Sequence, residues 1–133
     1  MAEIPDDRRE EIASDPFCAN LGIELTDLGP GTARTELTVT EDLLNFHGTS
    51  HGGAVYSLAD AAFAAASNSE GDTALAMETN ISYFEAVSVG DTLTAEAERR
   101  HQRGRTASYR VEVTDEAGDP VASFRGRVYL PGE

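Results

Sequence analysis

The chain has no lysine and no tryptophan, and all ten of its basic residues are arginine. Against these stand 24 aspartates and glutamates, for a net charge of −14. Such a surface repels phosphate, which argues against general binding to nucleic acid or to an anionic membrane. Acidic excess without lysine fits a protein from a salt-accumulating cell, where dense salt screens self-repulsion. A GC-rich genome that favours arginine codons would leave part of the same trace. One cysteine, Cys18, can form neither an internal disulfide nor a zinc cluster. It reads as a small half-buried residue rather than a nucleophile. No apolar run reaches the ~18 residues of a membrane span. The first residues, MAEIPDDRREEI, are charged and lack the apolar core of a secretory signal, so a cytoplasmic protein is expected.

The length, 133 residues, predicts one domain over 1–133. Its charge is uneven. Residues 1–16 hold six acids against Arg8 and Arg9, while residues 97–127 hold seven of the ten arginines against five acids. A basic stretch in an acidic chain suggests a small anionic ligand there.

Pro5 to Ala13 reads as a short helix, with proline at its start and acids in the first turn, ended by Asp15-Pro16; residues 1–16 form a helical extension. Gly22–Asp27 and Thr32–Val39 alternate around the turn Gly29-Pro30-Gly31, as a hairpin does. Gly52 to about Ser69 is the one long helix. Its apolar residues cover most of the circumference, so it is buried. Four extended segments follow, about Thr73–Phe84, Thr92–His101, Thr106–Thr114 and Pro120–Leu130, which short connections would make antiparallel neighbours in a meander. The expected class is α+β, one antiparallel sheet wrapped around one long central helix.

Two features of that helix are costly. Gly52 and Gly53 open it, although glycine in a helix costs about 1 kcal/mol relative to alanine. Either the helix start packs tightly against the sheet, or a ligand approaches the backbone there. The first N–H groups of a helix lack partners and carry the positive end of its dipole, which suits a carbonyl under attack. Asp60 then stands in the middle of a mostly apolar helix, with Tyr56, Ser57, Ala64 and Ser67 as its helical neighbours. That stripe either faces solvent or places a carboxylate in a dry cleft, for general-base or nucleophilic work. Eight residues of helix separate Gly52 from Asp60 by about 12 Å, too far for both to reach one reacting group. Two antiparallel copies of the helix could bring them together. If the two residues act together, the site is shared across a dimer.

His47 and His51 are too few for metal, and no HExxH motif is present; no metal site is expected. His51 is expected to order the loop by hydrogen bonds. Asn45 either orients a water or carbonyl or is an ordinary turn residue. Arg99-Arg-His-Gln-Arg-Gly-Arg-Thr106 reads either as a phosphate-capturing turn or as a salt-bridged sheet edge. No nucleotide-binding glycine motif is present.

These residues resemble a family. Asn45-x-His47-Gly48-Thr49-x-His51-Gly52-Gly53, followed by Leu58-Ala59-Asp60-x-Ala62-Phe63, is similar to the hotdog-fold acyl-CoA thioesterases of the PaaI type, which act on phenylacetyl- and hydroxyphenylacetyl-CoA. The likeness extends over about residues 17–130, through Asn68-Ser69, Gly90-Asp91-Thr92-Leu93, Arg100-His101-Gln102 and Val121-Ala122-x-Phe124-Arg125-Gly126. The resemblance implies a hotdog fold and a homodimer with shared active sites, commonly a homotetramer. It implies Asp60 as nucleophile or general base, Gly52 of the other subunit polarising the carbonyl, and Asn45 and His51 shaping its site. CoA phosphates would meet Arg103 and Arg105, and no cofactor is needed beyond the CoA of the substrate. The pocket between subunits is expected to include Phe46, Gly53, Tyr56, Phe63 and Phe84. Their aromatic rings would suit an aryl-acyl group or a medium chain.

The chain also departs from the family. Ala76 stands where some relatives have a small hydroxyl residue, a role open here to Thr73, Thr79 or Ser82. Glu85-Ala86 stands where relatives often have Arg-Pro. Two other readings remain: a hotdog dehydratase or hydratase, which needs a catalytic histidine paired with an acid, and a non-catalytic dimeric acyl-CoA-binding module. Sensors of the latter kind usually carry a helix–turn–helix, for which the acidic segment before the domain offers neither room nor charge. The charge alone makes one prediction. Thermal unfolding followed from 0.1 M to about 2 M KCl should shift upward with salt; a midpoint independent of salt would refute the halophile reading.

Overall fold

In the computed structural model, residues 4–132 are described; Met1–Glu3, at the start of the expected extension, and Glu133 lie outside the described residues. The order is α1 (Asp6–Ala13), α2 (Pro16–Leu21), β1 (Glu24–Gly29), β2 (Thr32–Thr38), a 3-10 turn (Glu41–Leu43), α3 (Gly52–Ser67), β3 (Leu75–Tyr83), β4 (Thr92–Arg103), β5 (Thr106–Thr114) and β6 (Pro120–Tyr129). The six strands form one antiparallel sheet in the order β1-β2-β4-β5-β6-β3. It wraps the long helix, so the α+β expectation holds.

Two sequence expectations need correction. Asp15-Pro16 does not only end α1; it starts α2. The Asp15 carboxylate accepts from the backbone N–H groups of Phe17 and Cys18 at 3.0 and 3.2 Å, and Pro16 occupies the first helical position. Aspartate at the cap with proline after it is a start signal. The second correction concerns the meander. Only β4, β5 and β6 follow one another in the sheet; β3 lies at the far edge, paired with β6, and β2 takes the place beside β4. The connection from β3 to β4, residues 84–91, is too long for a tight hairpin and lets the chain cross the sheet.

α3 is buried by its sequence. Ala54, Val55, Leu58, Ala59, Ala62, Phe63, Ala65 and Ala66 are all shielded from solvent. They pack on the inward residues of the sheet, among them Leu37, Leu93, Val111 and Phe124. The small residues let helix and sheet approach closely, and Thr35 Oγ1 donates to the Leu58 carbonyl at 2.9 Å across that interface. Phe63 fills the space above Gly126: a Cβ there would lie 2.5 Å from its ring. Gly126 therefore has a packing reason. Gly126→Ala should cost about 1–3 kcal/mol in urea unfolding, the usual range for overpacking. Phe63→Leu in the same chain should recover part of that loss, which independent, additive effects of the two substitutions would contradict.

Candidate functional site

The first turn of α3 explains both glycines. His51 is the cap residue, and its Nδ1 accepts from the Gly53 N–H at 2.8 Å. A ring nitrogen that accepts at Nδ1 carries its proton at Nε2. A Cβ on Gly53 would stand 2.9 Å from that Nδ1, so the ring can fold over the backbone only at glycine. The Ala54 N–H turns back to the His51 carbonyl at 3.0 Å. Gly52 is left: among the described residues its N–H has no acceptor. Its carbonyl accepts from the Tyr83 hydroxyl at 2.9 Å, and a Cβ on Gly52 would lie 3.3 Å from that oxygen. The packing reading of the glycines therefore holds, and among the described residues it surrounds one open N–H at the positive end of a buried helix.

Asn45 ties the loop before the helix. Its Oδ1 accepts from the backbone of His47 (2.9 Å) and Thr49 (3.2 Å), and its Nδ2 donates to Thr49 Oγ1 at 3.2 Å. The side chain therefore shapes the turn that leads to His51. His47 is exposed, with its ring against that of Phe46, which is itself 93 % exposed.

Asp60 lies further along the same helix. It is half-buried, and among the described residues its carboxylate has neither a hydrogen-bond donor nor a cation. Burial, and then the charge of Asp15 on α2, push its pKa above the usual 3.8. Cys18 feels the same group. Its thiol is pushed up to about 11 by burial, by Asp15 and by Asp60, so it stays protonated and is not a nucleophile at neutral pH. The sequence gives no hint that Asp15 and Cys18 are neighbours of Asp60; no spacing signal links α2 to the middle of α3.

The expected lining residues separate. Phe63 is not available to a ligand: it is 1 % exposed and packs on Tyr109 and Phe124 in the core. Tyr56 is half-buried, its hydroxyl 2.6 Å from Thr79 Oγ1, so one of the hydroxyls considered for the Ala76 position faces α3 from β3. Tyr83, which holds Gly52, is invisible to sequence reasoning because only the fold brings the end of β3 to the start of α3. Arg103 ends β4 and Arg105 lies in the following turn, where its Nη1 donates to the Pro131 carbonyl at 2.5 Å. In the register of the sheet this turn stands at the Leu75 end of β3, whereas Gly52 touches the Tyr83 end. Eight steps of strand separate those ends by about 26 Å. Within one chain, Arg103 and Arg105 are far from Gly52.

An antiparallel sheet wrapped around one long buried helix is the hotdog fold. The thioesterase superfamily model matches residues 47–122. The acyl-coenzyme A thioesterase PaaI of Escherichia coli is 42 % identical over 116 residues, covering 86 % of this chain and 83 % of that protein. The structure of E. coli PaaI superposes with a TM-score of 0.89 at 39 % identity, over 93 % of this chain and 90 % of that one. A mutant of the phenylacetic acid degradation protein PaaI from Thermus thermophilus gives 0.84 at 44 % identity, over 87 % and 99 %. The chain belongs to the thioesterase superfamily, and within it resembles the PaaI proteins; it is a thioester hydrolase of the hotdog fold. None of its described helices is long and apolar enough to cross a membrane.

The raised pKa has a consequence for stability. Below pH 3.8 Asp60 is protonated in both folded and unfolded chains. Above it the unfolded chain releases the proton first, so an ionised Asp60 costs stability at neutral pH. Asp60→Asn should therefore raise the melting temperature at pH 7, by a margin that shrinks as the pH falls toward 4. A constant margin at all pH values would mean that its charge is not the cause.

Proposed function

We propose that the chain hydrolyses the thioester of an aryl-acyl-CoA or medium-chain acyl-CoA, with its sites shared between two subunits. The observation that carries this reading is the pairing of one free N–H, on Gly52, with one unpaired half-buried carboxylate, on Asp60. The N–H would polarise the thioester carbonyl, and the carboxylate would attack it or take a proton from the attacking water. Attack forms a tetrahedral centre, whose collapse expels the CoA thiolate; where the carboxylate itself attacks, water then cleaves the resulting mixed anhydride to the free acid, and where water attacks, the proton held by the carboxylate passes to the thiolate. No cofactor is required beyond the CoA that the substrate brings. The similarity to a protein named as an acyl-coenzyme A thioesterase supports the substrate class.

An exposed sheet edge supports the dimer. β3 leaves one side of its backbone unpaired at the end of the sheet, and Leu75, Met77, Tyr83 and Phe84 are each about half exposed there. A nine-residue edge strand that exposes Leu75, Met77 and Tyr83 is a template for pairing with a second copy. Antiparallel pairing of β3 with itself would place the Tyr83 end of one chain beside the Leu75 end of the other. The partner's Gly52 would then stand at the same end as this chain's Arg103 and Arg105. That arrangement supports a thioester held at the helix start of one subunit, with CoA phosphates near the turn of the other. A dimer of this kind can associate further into a tetramer. The charge and helix lengths suit a cytoplasmic protein.

A dehydratase would need a histidine paired with an acid, and His51 is instead engaged as a cap. A binding module without turnover would bind acyl-CoA and release no thiol.

Release of free thiol from phenylacetyl- and hexanoyl-CoA is the direct test. Asp60→Asn should lower kcat about 10²–10⁴-fold. Gly52→Pro should lower it about 10²–10³-fold by removing one donor. Proline suits the first helical position, and His51 before it already has the extended backbone that proline requires (φ −63°, ψ 134°). Neither variant has an intact site, yet refolding the two together should restore about a quarter of the native activity. Half of the dimers would be mixed, and each mixed dimer would hold one intact site. Mixing that restores nothing would place both residues in one subunit's site.

A further inference from the structure

The start of α3 is tied to the end of β3, and β3 is fixed there by the sheet. Tyr83 stands opposite Ala122 of β6, and the Phe84 N–H donates to the Val121 carbonyl at 2.8 Å. Just beyond, the Val87 carbonyl accepts from the Ser50 N–H at 2.9 Å, in the loop that leads to the helix. From this anchored strand the Tyr83 hydroxyl donates to the Gly52 carbonyl at 2.9 Å. Tyr83 is half exposed, so its ring adds little to the core. What it adds is a donor. Desolvation of the hydroxyl, and then the neighbouring Tyr56, push its pKa above the usual 10.0, so the proton stays on at neutral pH.

The bond acts on one peptide group. The Gly52 carbonyl and the Gly53 N–H share a peptide plane. Its oxygen accepts from Tyr83, and its N–H donates to His51 Nδ1 at 2.8 Å. A plane held at both ends cannot turn, and bonds in series through it strengthen one another. The next plane along is held as well, since the Gly53 carbonyl accepts from Ser57 Oγ at 2.8 Å. The open Gly52 N–H lies in the plane before, which it shares with the His51 carbonyl. That carbonyl accepts from the Ala54 N–H at 3.0 Å, a bond that closes over the Gly52–Gly53 peptide. The direction of the open N–H therefore depends on the peptide that Tyr83 holds. No dipeptide has more need of such a hold. Adjacent glycines have the widest backbone freedom, and the first turn of a helix has the fewest bonds of its own.

We propose that Tyr83 is a positioning residue for the reaction: its hydroxyl, anchored on the sheet, holds the Gly52–Gly53 peptide so that the Gly52 N–H keeps one direction toward the thioester carbonyl. This rests on the thioesterase reading above. Tyr83 acts through the backbone of the helix start, and its hold is complete before substrate arrives. A donor aimed in advance needs no reorganisation when charge develops on the carbonyl oxygen.

The experiment removes the hydroxyl and keeps the ring, with Tyr83→Phe. On phenylacetyl-CoA it should lower kcat about tenfold and leave KM within about twofold, because a misdirected donor fails mainly in the transition state. A hydroxyl that only stabilised the fold would lower the melting temperature and leave kcat as it is, which would overturn the proposal. Infrared spectroscopy reads the donor directly. In the Asp60→Asn chain, the carbonyl band of bound phenylacetyl-CoA should lie below that of the free thioester, and adding Tyr83→Phe should move it back toward the free position. A band that is not shifted, or that Tyr83→Phe leaves in place, overturns the proposal whatever happens to kcat. If no thioester is hydrolysed but the shift is present and is lost with the hydroxyl, the positioning role stands and the hydrolase reading falls. If thioesters are hydrolysed and Tyr83→Phe changes neither kcat nor the band, the positioning role falls alone.

Discussion

One backbone N–H, at the first residue of a buried helix and without a partner among the described residues, is the constraint on which the arrangement depends. It exists because its neighbours are spoken for. His51 Nδ1 takes the Gly53 N–H, and the Ala54 N–H turns back to the His51 carbonyl. The loop before it is fixed by Asn45, and the Gly52 carbonyl by Tyr83. Each of these bonds removes a freedom that would let the open donor find a partner of its own. The glycines follow from the same geometry: a Cβ on Gly53 would meet the His51 ring at 2.9 Å, and one on Gly52 would press on the Tyr83 hydroxyl at 3.3 Å, which a small shift of that side chain relieves.

The second consequence is an asymmetry along α3. Its sheet side is packed with aliphatic and aromatic side chains and tied to β2 through Thr35. Its opposite side carries small residues, an unpaired carboxylate and a cavity roofed by α1 and α2. Packing is concentrated on one face; on the other, burial and the nearby charge of Asp15 push the Asp60 pKa up, and among the described residues Asp60 has no ion-pair partner. Titratable groups left in such perturbed surroundings are found more often at functional sites than elsewhere.

The site residues on α3 and in its leading loop are legible because local rules apply there. Two glycines at a helix start and one acid in an apolar helix each break a propensity rule, and such breaks tend to mark function. His51 as an ordering residue can be read in the same way. Phe63 cannot be placed from sequence, since an aromatic on a helix serves core and pocket equally well until its facing residues are known. Gly126 decides it, from the far end of the chain. Asp15-Pro16 is legible as a break and ambiguous in direction, because the pair that stops one helix also starts the next.

Periodicity alone is enough to read the α+β class, the buried central helix and the strand positions to within a few residues, and local breaks in it single out the candidate site residues. Long-range packing, by contrast, sends β3 from the meander to the opposite edge, sets Tyr83 against Gly52, and brings Asp15 and Cys18 at the start of α2 near Asp60. Each of these joins residues far apart in the chain, and no local pattern records which distant surface a strand or a short helix will meet. Burial decides it, through the one arrangement of the sheet that covers α3.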